Sequence, residues 1–225
     1  MRQFYFLFLF SFIIIKVTKT MEEIMKSPLN YQVTNKDNSN TALEDSLMFL
    51  FEREEMPIEI LKALYAYSIE CYNEKTENNA AEYSKQYMQT MSRYIGDVLK
   101  NKNLNFQCVH SKGESVTLST ILYCLKNYGC ACVKVWKSNE PHYVVVTALD
   151  TTSVYVFDPY FEYASFYKGN ENIKVVLDMP FNHNRKIKLE HFIRSKQEDY
   201  CLGTPLSREA VMFVKKVAAQ ERELE

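Results

Sequence analysis

The pattern of apolar and polar residues changes character about halfway along the chain, and the first half favours helices. Thr41 and Glu44 have the spacing of a capping box, which predicts a helix from Thr41 to about Glu54. Pro57 begins a second predicted helix at its preferred first position, and residues 79–100 form a third. The predicted core faces are Leu43, Leu47, Leu50 and Phe51 in the first helix, Ile58, Leu61, Leu64 and Tyr65 in the second, and Tyr83, Tyr87, Met91, Tyr94, Ile95 and Val98 in the third.

The second half favours strands. After a short strand at 106–109 and a fourth helix that begins near Leu118 and ends at Gly129, β-rich runs follow one another from Ala131 onward. The predicted strands lie at 131–136, in a hairpin between residues 142 and 160, at 172–178 and from Glu209 toward the end, with a short helical turn at Leu189–Ile193. Helices followed by antiparallel strands are typical of an α+β fold.

The predicted hairpin from His142 to Tyr160 carries residues that could take part in catalysis. A turn at 150–153 separates alternating valines from a second β-rich run that Pro159 ends. An antiparallel hairpin brings the start of its first strand beside the end of its second, so His142 and Asp158 should be neighbours. A carboxylate beside an imidazole fixes its tautomer and orientation, as nucleophilic hydrolases require. The alternative is a surface His and a strand-ending Asp with no chemical role.

Length, composition and charge narrow the classes of protein. A chain of 225 residues with 47% hydrophobic residues can bury the core of one domain, which we place at 26–217, ahead of a charged tail at 218–225. A net charge of -1 and scattered lysines provide no basic face, so nucleic acid is not an expected partner. The chain has no glycine-rich phosphate loop, and no cofactor is expected.

The six cysteines fall mostly inside apolar runs, at spacings that match neither a zinc site nor a dense disulfide framework. We interpret them as mostly reduced core residues. Cys130 and Cys132 should share one face of a strand, and no metal site is expected there because no suitably spaced His accompanies them.

Residues 1–25 are set apart from the fold. The apolar stretch Phe4–Ile15 suits the core of a signal peptide better than a membrane span, which needs roughly twenty residues. A short uncleaved anchor is a second interpretation, and a third is a chain that truly begins at Met21 or Met25. The protein is cytoplasmic under the third and exported or membrane-tethered if residues 1–20 are genuine, and membrane contact is expected only through residues 4–15.

The order of helices, strands and candidate site residues along this chain resembles that of the papain-like cysteine peptidases of the bacteriocin-processing, double-glycine type. A helical first half precedes a β half with His142 and, sixteen residues later, Asp158 and Pro159. The similarity covers most of residues 28–160. It implies a papain-like α+β fold in which a helical N-terminal half packs on an antiparallel sheet. It also implies that Gln32 is the oxyanion-stabilising residue and that His142 and Asp158 lie on neighbouring strands.

The nucleophile of that family is missing. Thr41 occupies the position of the catalytic Cys, and a Thr hydroxyl lacks the thiolate population that makes Cys reactive beside a His. Thr41 has a sufficient structural role as an N-cap. Gln32 lies nine residues before Thr41, further than in the family, so either the loop carries an insertion or Gln32 is an ordinary loop residue. We expect Thr41 to begin the first helix and to face His142.

Three functions remain open. The first is a degenerate peptidase-like domain that binds a peptide or partner protein without cleaving it. The second is an active thiol or hydroxyl hydrolase, or an acyltransferase, with a displaced nucleophile, for which Cys71 and Cys201 are candidates. The third is a structural protein of a biosynthetic or secretion cluster. If a peptide-sized cleft exists, Trp136 should flank it beside His142.

Overall fold

The computed structural model describes residues 38–51, 56–64, 66, 80–160, 162–167, 169–179 and 182–215. The predictions for residues 1–25, Gln32, Cys71 and the tail at 218–225 lie outside these ranges. None of the described helices combines the length and the apolar composition needed to cross a membrane.

The described chain forms helices and strands in the order that its apolar pattern predicts, with additions. The helices are α1 (Asn38–Leu50), α2 (Ala80–Asn101), α3 (Leu118–Lys126) and α4 (Leu189–Phe192), and residues 58–64 are also helical. The strands are β1 (Phe106–Lys112), β2 (Cys130–Lys137), β3 (Glu140–Leu149), β4 (Ser153–Phe157), β5 (Ile173–Val175), β6 (Arg185–Lys188) and β7 (Glu209–Lys215).

The seven strands form one sheet in the order β1-β7-β2-β3-β4-β6-β5. Every neighbouring pair is antiparallel. Antiparallel strands combined with helices make this an α+β fold, as predicted.

The sheet buries apolar residues on both faces, since successive side chains of a strand point to opposite sides. Face one carries Cys130, Cys132, Val145 and Phe157 and packs against the apolar stripes of α1 and α2. Face two is the opposite side, and α3 and α4 cover it. Its buried strand residues are Ala131, Val133, Val135, Val144, Val146, Val154, Val156, Ile173, Ile187, Ala210 and Met212.

Among the predicted core residues whose side chains the structure describes, which exclude Tyr65 and Tyr83, the helical faces differ from the predicted ones at two positions. Ile58 is 56% exposed, and Ile60 is buried in its place together with Leu64. Ile60 and Leu64 are four residues apart, which places both on one side of the helix. In α2 the predicted Tyr94 is exposed, because Met88, Ile95 and Leu99 form the buried stripe with Tyr87 and Met91.

The strands differ from prediction mainly at their ends. The predicted strand at 172–178 is shorter, at Ile173–Val175, and β1 extends to Lys112. Strand β6 was not predicted. The hairpin turn at 150–153 is confirmed, and Asp150 Oδ1 holds it by accepting from the backbone N–H groups of Thr152 and Ser153 at 2.7 and 2.8 Å.

Candidate functional site

His142 and Asp158 lie side by side at the open end of the hairpin formed by β3 and β4. Val145 pairs with Phe157, which brings the residues before Val145 alongside those after Phe157. His142 Nε2 is 2.7 Å from Asp158 Oδ1, so the predicted contact is confirmed. An ionised carboxylate can only accept a hydrogen bond, so Nε2 carries the proton and donates it.

Asp158 is fully buried, and its carboxylate accepts four hydrogen bonds. Besides His142, the backbone N–H of Tyr160 donates to Oδ1 at 2.8 Å. Lys137 Nζ and the Tyr200 hydroxyl donate to Oδ2 at 2.9 and 2.5 Å. Burial alone would raise the pKa of Asp158, but the charges and hydrogen bonds of His142, Lys137 and Tyr200 outweigh it and hold that pKa well below its ordinary value.

The main chain of Asp158 is held as firmly as its carboxylate. The Asp158 backbone N–H donates to Asn184 Oδ1 at 2.8 Å, and Asn184 Nδ2 donates to the Asp158 carbonyl at 2.7 Å. Lys137 Nζ donates to the Tyr160 carbonyl at 3.0 Å and lies 4.6 Å from the centre of the Tyr160 ring. The carboxylate therefore has one fixed position beside the imidazole.

A second cation extends the network away from His142. The Tyr200 hydroxyl lies 2.8 Å from that of Tyr167 and accepts from Arg185 Nε at 3.2 Å. Arg185 is fully buried, and its Nη2 donates to the Glu162 carbonyl at 3.0 Å. Burial raises the pKa of Tyr167 to about 12, so its hydroxyl stays protonated and can serve as a donor.

This arrangement orients an imidazole and stabilises its protonated form, which is half of what nucleophilic catalysis needs. It is also a buried ion-pair network, and removing one partner of such a network costs roughly 3–5 kcal/mol. His142 is only 5% exposed and Lys137 only 6%. The pair can therefore stabilise the fold whether or not a reacting group reaches it.

The structure corrects the position of Thr41. Helix α1 already includes Asn38, three residues before Thr41, so the prediction that Thr41 is the N-cap is wrong. The physical reason is that Asn38, Ser39 and Asn40 have helix propensities close to that of Thr, and nothing in them stops a helix.

Thr41 and His142 belong to elements on opposite faces of the sheet. Ala42 and Leu43, which follow Thr41, are buried on face one together with Val145. His142 shares the side of β3 that carries Val144 and Val146, which are buried on face two. The packing therefore does not support the expectation that Thr41 faces His142.

Trp136 also points away from His142. Val135 is directly opposite His142 in the pairing of β2 with β3, and Trp136 is opposite Pro141, so the indole is directed to the other face. The indole packs against Gly203, and its buried Nε1 has no hydrogen-bond partner in the described part of the chain. The expectation that Trp136 flanks His142 is not supported.

The described cysteines are free, and four of the five are buried, as predicted for core residues. They are Cys108, Cys124, Cys130, Cys132 and Cys201. Burial raises the pKa of every one of them, to about 11 for Cys124 and Cys201. Cys130 and Cys132 share face one as expected. A raised pKa makes each of these thiols a poor nucleophile at neutral pH.

Cys201 has a histidine neighbour, but it is His191. The Cys201 Sγ lies 3.6 Å from His191 Nε2 and donates to the His191 carbonyl at 3.2 Å. The thiol, His191 and Glu198 place ligand-type atoms within 4.8 Å of one another, the spacing of a candidate metal site. Both ring nitrogens of His191 are engaged, Nε2 with the Asp199 carbonyl at 2.7 Å and Nδ1 with Arg194 Nη1 at 3.4 Å, so a metal would have to displace one of these contacts.

Sequence reasoning missed five residues of the Asp158 network: Lys137, Tyr167, Asn184, Arg185 and Tyr200. Lys137 had a signal, because it follows Val133 and Val135 in alternation and so points to the same buried side of β2. The other four had none, since they come from distant loops and strands. Tyr200 donates to the Asp158 carboxylate, and Arg185 joins the network through Tyr200.

No protein-family model, no curated protein and no solved structure matches this chain. The resemblance to papain-like peptidases therefore rests on the residues themselves, and the geometry around His142 and Asp158 must carry any functional argument.

Proposed function

We propose that this protein is a catalytically inactive, papain-like peptidase domain that binds a peptide or partner protein. The observation that carries the proposal is the His142–Asp158 contact of 2.7 Å. The protein keeps a histidine that could act as a base, and the carboxylate that orients it. Every thiol in the described part of the chain, however, has a raised pKa. A base without an activated nucleophile cannot start covalent acyl transfer.

The position of Thr41 favours inactivity. Its hydroxyl belongs to a helix on face one, whereas the imidazole belongs to face two. An ordinary hydroxyl needs an adjacent base before it can attack a carbonyl group. In this proposal the His142–Asp158 pair persists because losing one member of the buried network would leave an unpaired charge in the core.

The alternative is an active thiol hydrolase or acyltransferase with a displaced nucleophile. The observation that bears on it is the 3.6 Å contact between Cys201 and His191. Burial raises the pKa of Cys201 to about 11, so at pH 7 the thiolate that the reaction needs is scarce. Cys71 remains a second candidate for this alternative.

Thiol alkylation tests the proposal. The wild-type protein is treated with iodoacetamide at pH 7, and each cysteine is followed by peptide mass spectrometry, with the urea-unfolded protein as the reference for full reactivity. We expect no thiol of the folded protein to react faster than free cysteine, whose pKa is about 8.5. One thiol that reacts many-fold faster, and whose fast reaction is lost in His142→Ala, would favour the enzyme with a displaced nucleophile instead.

A further inference from the structure

A groove of about 690 Å³ lies at the end of the sheet where β4, β5 and β6 meet the start of α4. None of the residues around Asp158 lines it, so it is separate from the His142 site. We call it the lysine groove after three of its lining residues, Lys174, Lys186 and Lys188.

The three lysines share one side of the sheet. Lys174 and Lys186 are directly opposite each other in the pairing of β5 with β6. Lys188 lies two residues beyond Lys186 on the same strand and therefore on the same side. Like charges in directly opposed positions destabilise a sheet, and an anionic ligand would relieve that repulsion. Glu171 and Glu190 also line the groove and leave it with a net positive charge.

Lys186 is held in place. Its Nζ lies 5.1 Å from the centre of the Tyr155 ring, and the Tyr155 hydroxyl donates to Asp150 Oδ2 at 2.7 Å. A hydrogen bond with Tyr155 raises the pKa of Lys186. A cation ordered before a ligand arrives loses less conformational entropy on binding.

The remaining lining suits a ligand larger than a simple anion. Leu189 and Ile193 offer apolar surface, and Ile193 is 41% exposed. Thr151 contributes a short polar side chain at the turn between β3 and β4. The volume falls in the usual range of ligand pockets, roughly 300–1,000 Å³, and so exceeds what one phosphate or sulfate ion would fill.

We propose that the lysine groove binds an acidic peptide segment, with carboxylates beside Lys174, Lys186 and Lys188 and an apolar side chain against Leu189 and Ile193. This inference rests on the proposed function, because it names the chemistry of the peptide that the domain binds. Part of the attraction is electrostatic and should weaken with rising salt concentration.

The test is fluorescence anisotropy of a labelled peptide, Glu-Glu-Leu-Glu-Glu, titrated with the full chain at low salt. Substituting Lys174, Lys186 or Lys188 by Gln should each weaken binding by roughly two- to five-fold, the effect of losing one exposed ion pair, and the triple variant should weaken it more than ten-fold. Lys126→Gln is the matched control, because Lys126 is an exposed lysine at the end of α3. Circular dichroism confirms that every variant is folded.

Three results would overturn the inference: no binding by the wild type, equal binding by the triple variant, or equal binding of a peptide with Gln in place of Glu. Displacement of the peptide by an equal concentration of inorganic phosphate would show a small-anion site instead. If the peptide binds equally well to the wild type and to the triple lysine variant, the peptide does not bind in the lysine groove, but the proposed function is not contradicted. Cleavage of the peptide would contradict the proposed function, which is binding without cleavage, wherever on the protein the peptide binds.

Discussion

At the scale of single residues, Asp158 determines how the site responds to pH. Its pKa in the folded protein is lower than that of Asp in an unfolded chain, about 3.9. The ionised carboxylate therefore stabilises the folded state fully above about pH 4, and this contribution is lost as the pH falls through the folded pKa. The free energy of unfolding should therefore fall as the pH is lowered below about 4.

Asp158→Asn should lower the free energy of unfolding at pH 7 by about 3–5 kcal/mol, because Lys137 stays buried without its anion. The variant should also lose less stability than the wild type between pH 4 and pH 2. Urea denaturation at several pH values measures both quantities, and Glu114→Gln, at an exposed residue, is the control. If the wild type and Asp158→Asn lost equal stability between pH 4 and pH 2, the acid sensitivity could not be attributed to Asp158.

Gly203 makes a second prediction at this scale. Its φ of +76° disfavours other residues, and an added Cβ would collide with the Trp136 indole. Gly203→Ala should destabilise the protein by roughly 2–4 kcal/mol, the sum of backbone strain and overpacking. Gly113→Ala is the matched control, since Gly113 has a similar φ of +68° and open space around it. Equal shifts in Tm for the two variants would mean that the indole contact contributes nothing.

At the scale of elements, the chain has a capping box where none was predicted. Thr117 Oγ1 accepts from the Thr120 backbone N–H at 3.1 Å, and Thr120 Oγ1 accepts from the Thr117 backbone N–H at 3.0 Å. The reciprocal contacts make Thr117 the N-cap of α3. The box predicted at Thr41 has a better sequence signature, with Glu44 at its third position, yet lies inside α1.

Thr117→Ala should lower the free energy of unfolding by about 1 kcal/mol, because it leaves the Thr120 backbone N–H without its side-chain acceptor. Ser119→Ala, at an exposed position in the same turn, should change it little. Chemical denaturation measures both variants. A loss from Ser119→Ala as large as that from Thr117→Ala would show that the cap is not the cause.

Elements with a strong periodic pattern were predictable, and elements that depend on partners were not. The hairpin of β3 and β4 and helix α2 carry local signals and lie where expected. Strand β6 has the sequence Arg-Lys-Ile-Lys with one aliphatic residue, and it becomes a strand because it pairs between β4 and β5. Tertiary pairing overrides weak local preference in such segments.

At the scale of the whole molecule, the same distinction explains the candidate site. The contact of His142 with Asp158 follows from the register of one hairpin, which a sequence can show. Which face of the sheet a helix covers depends on the packing of both faces, and no local pattern in α1 reveals it. The expected meeting of Thr41 with His142 was of this second kind.

Thr41→Cys tests whether position 41 and His142 lie on opposite faces of the sheet. With the helix on face one, the new thiol should titrate no lower than an ordinary cysteine, near pH 8.5. His142→Ala should not change this titration. The measurement is the pH dependence of the alkylation rate of Cys introduced at position 41, in variants with and without His142→Ala. A depressed pKa that returns to normal on loss of the imidazole would place Thr41 beside His142 after all.

The central claim is that the domain binds peptides without cleaving them, and a cleavage assay tests it most directly. The wild-type protein is incubated at pH 7 with a mixture of synthetic peptides, including acidic sequences and sequences that contain Gly-Gly, and new peptide termini are quantified by mass spectrometry. We predict no termini beyond those of the buffer control and of His142→Ala. New termini that form with the wild type and disappear in His142→Ala, Cys71→Ser or Cys201→Ser would contradict the claim and identify the catalytic group.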